Sequence, residues 1–437
     1  MKHLFLEVFS KLASSLRPSL YGRQAQRSNL QFSIQNGDCF GPLPVRQADS
    51  LAVTGQVFFR CLLIILAMAT ATVPGYTQQT TESAPEPPPG WWLIPKTNTT
   101  LKVGGYVKFD MIHDFNPIAS PDFFDVSKIP TDGSKGESTH LNAKETRVFL
   151  DFKRAGDMDL RAYVEGDFYG ANGTFRLRHA FVEIGGGRWL AGQWWSNFMD
   201  ENIIPNSLDF EKPGAYAFAR HPMFRFKQST GADSYFAIAV EEPNTNAQAP
   251  PEPGAFESPL PDLTARYRVT KTWGHVQLSA FAAKLVYRYT AGGTDEVSLV
   301  GGNLSGQFNL FDNKDKVIYQ VVYGPGVGRM RGGLSAGLDA DGNLEALTDI
   351  GITVGLEHQW SSAFSSVLVY NYGEVNNTAG QPQSSLANTN YFSGNVLWKF
   401  APNAFVGLEY LYGTRQDESD DKGDANRLQF SVRYTFN

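Results

Sequence analysis

Seven arginines, Arg147, Arg161, Arg176, Arg178, Arg225, Arg266 and Arg268, stand in segments where apolar residues recur at alternate positions. A guanidinium is permanently charged, and its fork of donors matches a carboxylate. Several along one surface therefore lower the barrier for a passing anion. Asp200, Glu201, Asp209 and Glu211 gather in the stretch 196–215. Set opposite the arginines, they would create a transverse field that orients charged or dipolar solutes. The alternative is that all these charges pair with one another and hydrate a wide cavity. No catalytic residue or cofactor is expected. His179 has no histidine or carboxylate cluster at metal spacing beside it, so no metal site is expected. The acidic run Asp417, Glu418, Asp420, Asp421, Asp424 lacks the Gly and Glu positions of an EF-hand and reads as a solvated loop. The run 324–333, GPGVGRMRGG, lacks the Lys-Ser/Thr ending of a phosphate loop.

The elements that would carry these charges are strands. In 175–200, Phe175, Leu177 and Phe181 fall on one face and Arg176 and Arg178 on the other, because strand side chains alternate. Gly185, Gly186 and Gly187 supply a tight reversal, and 188–195 returns with Trp189, Trp194 and Trp195. The same alternation recurs across the chain. Val103, Val107, Phe109 and Met111 oppose Lys102, Lys108 and Asp110, and Val148, Leu150 and Phe152 oppose Arg147, Asp151 and Lys153. Leu160, Ala162, Val164 and Phe168 oppose Arg161, Glu165 and Asp167. About sixteen such segments can be placed from 101 to 436. Short links alternate with longer ones at 116–144, 196–215, 241–260, 325–345, 373–389 and 416–425. That is the requirement of an all-β, transmembrane, antiparallel up-and-down barrel with short periplasmic turns and long extracellular loops. The last strand is the most regular: Leu428, Phe430, Val432, Tyr434 and Phe436 form one apolar face, suited to closure against the first strand.

Composition agrees. The 437 residues include 42 Gly, 31 Phe, 18 Tyr and 8 Trp, yet mean hydropathy is only -0.28, as expected where apolar and polar positions alternate. The apolar run 61–69, CLLIILAMA, is too short to span a bilayer as a helix and reads as the core of a signal peptide at 51–71. Residues 1–50 read as an upstream extension from an early start, and 72–98 as a Pro-rich periplasmic tether. The barrel domain then occupies 99–437. Cys39 and Cys61 both precede the expected cleavage, so the mature chain has no disulfide framework. Loss of residues 1–71 turns 38 basic and 44 acidic groups into 31 and 41, a net charge of -10. That balance offers nothing to nucleic acid.

The segments LKVGGYVKFDMIHD at 101–114, RAYVEGDFYG at 161–170, FRLRHAFVEIGGGRWLAGQWWSNFMD at 175–200 and PNSLDFEKPG at 205–214 together resemble the DcaP-like outer-membrane porins. The closing RLQFSVRYTFN is similar to the terminal signal read by the outer-membrane barrel assembly machinery, with Asn437 following the usual final Phe. The resemblance implies a sixteen-stranded homotrimer in the bacterial outer membrane that passes small anionic solutes, dicarboxylates included. The expected function is a diffusion porin with a basic constriction and the lipid bilayer as its surroundings. A structural or adhesive barrel with a plugged lumen, or a barrel enzyme, are the alternatives.

Overall fold

The computed structural model describes residues 87–436 except 155, 157, 212–213 and 312–313. The expected extension, signal peptide and most of the tether lie outside the described residues.

Sixteen strands close an antiparallel barrel, and the short strands Trp92–Leu93, Ser138–Asn142 and Gly254–Glu257 extend it to a 19-stranded sheet among the described residues. The sixteen are β1 Thr99–Asp114, β2 Arg147–Arg154, β3 Leu160–Asp167, β4 Arg176–Ile184, β5 Trp189–Trp195, β6 Arg220–Gly231, β7 Ser234–Glu241 and β8 Asp262–Lys271. The second half continues with β9 Gly274–Tyr289, β10 Thr294–Leu310, β11 Asp315–Pro325, β12 Thr348–Gln359, β13 Phe364–Asn376, β14 Leu386–Ala401, β15 Ala404–Asp417 and β16 Lys422–Phe436. Closure runs from Gly105 opposite Phe436 to Asp114 opposite Arg427. Over that span no backbone edge is left to face hydrocarbon. Short turns collect at one end. The eight connections at the other end are L1 to L8, of which L1 (115–146), L3 (196–219), L4 (242–261) and L6 (326–347) are the longest.

Alternation puts Val107, Phe109, Met111, Leu278, Val300 and Leu368 on the exposed outer wall. Lys108, Asp110, Arg427, Gln429 and Ser431 point into the barrel and are buried there. Phe181 departs from the expected outward face. Between β3 and β4 the register slips by one residue, with Glu165 opposite His179 and Gly166 opposite Leu177. The extra residue is a bulge, which reverses the in-out phase beyond it. Phe181 therefore turns inward and stacks on Tyr163 at 5.4 Å, while Val182 is exposed outside.

Two other expectations shift. L8 is only 418–421, because Gln416 still pairs with Lys422 above the apolar belt. Residues 92–98 do not run on as a free tether: Trp92–Leu93 pairs with Leu101 and Thr100. The other edge of those two residues belongs to β2, where they face Phe152 and Lys153. The added strand thus continues the line of β16 below its last residue and covers the edge that β16 leaves open.

Candidate functional site

L3 is the element that shapes the lumen. It leaves β5 and re-enters β6 at nearly the same point, with Ser196 N donating to Ala219 O at 2.9 Å. Between these ends it lies along the inner wall. Glu241 of β7 accepts from Ser196 Oγ and Asn197 N, both at 2.7 Å. Asp200 then accepts from Arg268 Nη2 and from His275 Nε2, each at 2.7 Å. Arg266 donates to Glu201 at 3.0 Å. Farther along, Arg427 of β16 donates to Asp209 at 3.1 Å, and Gln429 Nε2 donates to Leu208 O at 3.0 Å. The return arm is held by Ala215 N to Asn371 Oδ1 at 3.0 Å and Ala217 N to Gln320 Oε1 at 2.7 Å.

These partners revise the expected role of the acidic groups. Asp200, Glu201 and Asp209 bind cations of the wall that L3 covers, so their charge fastens the loop. They do not stand as free carboxylates across from the arginines. Burial alone would push the Asp200 carboxyl up, but the hydrogen bond from His275 and the charge of Arg268 overcome it and hold it below the ordinary range. Glu201 is likewise held down by Arg266 against its burial. Glu211 is half-buried near the tip of the same loop.

The opposite wall, β2 to β6, carries the other arginines. Arg176 makes two bonds to Asp167, at 3.0 and 2.8 Å. Arg178 reaches Glu165 at 2.8 Å and Asp167 at 2.9 Å. Arg161 is bidentate to Asp151 at 2.9 and 3.1 Å. Arg147 and Arg225 are more loosely matched. The nearest acidic atoms to Arg147 are at 3.9 and 4.0 Å, and Arg225 lies 3.8 Å from Glu183. The tip of L3 meets this wall at Phe210, whose ring centre lies 5.9, 5.5 and 5.5 Å from the guanidinium carbons of Arg147, Arg176 and Arg178.

Sequence reasoning missed Arg220. It opens β6 opposite Trp195, and its guanidinium lies 5.3 Å from that ring. Among the described residues it has no ion pair, its Nη1 is buried without a partner, and its charged neighbours include Arg178, Arg176 and Arg147. It lies within the alternating segment expected near 216–227, but period two counted from the inward Arg225 puts Arg220 on the opposite, outward face.

A family model described as DcaP outer membrane protein matches residues 92–436. The chain belongs to that family. Among solved structures, the outer membrane channel DcaP of Acinetobacter baumannii is 24% identical with a TM-score of 0.71, covering 79% of this chain and 99% of the other. An anion-selective porin from Comamonas acidovorans is 8% identical with a TM-score of 0.54, covering 77% and 100%. The trimer form of OmpT from Vibrio cholerae is 13% identical with a TM-score of 0.51, covering 77% and 99%. No curated protein matches the chain. This DcaP-family barrel therefore lies in the bacterial outer membrane, its short turns periplasmic and its long loops extracellular.

Other residues of the family member that could suggest chemistry are accounted for by packing. His179 is buried between Trp194 at 4.2 Å and Trp195 at 5.0 Å. Among the described residues no three His, Cys, Asp or Glu side chains are placed to hold a metal ion. Residues 333–337 spell Gly-x-Ser-x-Gly. Ser335, however, sits in a lumenal loop, where its Oγ donates to Asn246 O at 2.8 Å, without the strand-to-helix turn a nucleophile needs. The glycine-rich run 324–333 forms a single 3-10 turn, Val327–Met330, packed inside the barrel. In the acidic run, Asp417 is taken up by Arg415 at 2.7 Å and Thr131 at 2.6 Å.

Proposed function

We propose that the protein is a passive diffusion channel for small hydrophilic anions, dicarboxylates among them, assembled as a homotrimer. The single observation that carries this reading is the pair Arg147 and Arg220 beside the tip of L3. The carboxylates nearest Arg147 stand at 3.9 and 4.0 Å, and Arg220 makes no ion pair among the described residues, so their charge is the least matched on that wall. Solute would move down its gradient with no covalent step, and selection would come from width and charge. The names of the Acinetobacter channel and of the Comamonas anion-selective porin agree with the reading, and the Vibrio trimer form agrees with the assembly.

One observation favours a plugged, structural barrel. Phe124, Val126 and Ile129 of L1, and Phe198, Val327 and Met330 of L3 and L6, pack against inward apolar residues such as Val369, Leu411, Phe281 and Leu299. Part of the lumen is thus filled. Planar-bilayer recording separates the two readings. Steps in groups of three, with a reversal potential of anion sign in a KCl gradient, support the channel. A silent bilayer from folded, heat-modifiable protein removes it.

A further inference from the structure

The periplasmic end of the barrel holds a second basic hollow that the arginine wall does not include. It is a cavity of about 490 Å³ beneath L3, bounded by Asn206 of that loop and by Gln359, Lys399, Asn403, Arg433 and Thr435 of the strands and turns below it. None of its lining residues is acidic. Lys399 and Arg433 make no ion pair among the described residues, and Arg433 Nε is buried with no hydrogen-bond partner. The Arg433 guanidinium is nonetheless fixed in place. It lies 4.4 Å from the ring centre of Phe405 and 5.2 Å from that of Tyr106. A guanidinium laid on aromatic faces keeps its orientation and its edge donors.

Two cations with amide and hydroxyl groups beside them, and no carboxylate among them, form a site for an oxyanion. The walls concentrate their field, because part of the cavity is screened from bulk water by the loop above. Its place matters as much as its charge. L3 lies on one side, and the turns at 360–363 and 402–403, which face the periplasm, lie on the other. We propose that this hollow is a second anion station at the periplasmic mouth, where Lys399 and Arg433 hold one carboxylate or phosphate group of a solute that has cleared L3. The proposal rests on the reading that the barrel passes anions. It adds that the channel has two sides of unequal affinity.

The test uses the intact barrel in planar bilayers, with succinate or inorganic phosphate added to one chamber at a time and transient current block as the readout. The station gives a lower half-saturation from one side. In Lys399→Gln and in Arg433→Gln that half-saturation rises at least ~5-fold, and the half-saturation from the opposite side stays unchanged. Block by succinate alone or by phosphate alone supports the station and identifies the oxyanion it takes. Lys399 is exposed, so its variant serves if Arg433→Gln fails the heat-modifiability check for folding. Unchanged half-saturation in Lys399→Gln, or an equal loss from both sides, overturns the station while the anion channel stands. A wild-type channel without anion preference overturns the channel reading itself.

Discussion

Asp167 decides what Arg176 and Arg178 can offer. Both guanidiniums bind this one buried carboxylate, and Arg178 also holds Glu165, so two positive and two negative charges meet within hydrogen-bond distance. From sequence, Arg176 and Arg178 are the first residues to mutate; the pairing moves that place to Arg147 and Arg220. A guanidinium about 6 Å from a passing carboxylate contributes roughly 1–3 kcal/mol at effective dielectrics between those of water and a protein surface. Arg147→Ala combined with Arg220→Ala is expected to lower the anion-to-cation permeability ratio several-fold, measured as the zero-current potential. Arg176→Ala alone is expected to change it little. Asp200 makes a separate prediction. Its carboxyl is depressed, so the anchoring it gives L3 is fully present above the ordinary aspartate range and is lost only as pH falls through the lowered value. Conductance should stay steady from neutral pH to about pH 4 and become noisy below it. Asp200→Asn leaves Arg268 and His275 without their anion, at a cost of about 3–5 kcal/mol. It should bring the same noise at neutral pH.

At the level of strands and loops, the sequence was informative where one face must meet hydrocarbon. Val107, Phe109 and Met111, or Leu428 and Tyr434, could not be buried in any other phase, so period two located these strands and their lumenal partners. A one-residue bulge leaves composition unchanged while reversing everything after it, which is why unbroken alternation puts Phe181 outside and the structure puts it inside. Tryptophan scanning reads this directly. Val182→Trp should be quenched by brominated lipid tails and Phe181→Trp should not. L3 was visible as a long polar stretch after the fifth strand. Its fastening was not, because the bonds join residues far apart in the chain, such as Asp209 with Arg427 and Ala215 with Asn371. Inward apolar residues are hard to place for the same reason. Leu285 and Leu299 look like lipid-facing positions until the loops that cover them are in place.

At the scale of the whole barrel, the first and last strands of a ring meet, and the two ends of the sheet are joined in an unequal way. Chemical cross-linking in detergent is expected to trap three copies, with monomer alone counting against the assembly. Removal of residues 87–94 should lower the temperature at which the folded band is lost in gel electrophoresis, because the edge at Thr100 and Leu101 is then uncovered. The short strand Trp92–Leu93 also bears on biogenesis. With β16 ending at Phe436, the seam is completed by residues from both ends of the barrel, so a barrel lacking β16 keeps an open edge whatever its other strands have done. Closure of this barrel thus waits on its last strand, and the ring exists only once that strand has paired with the first.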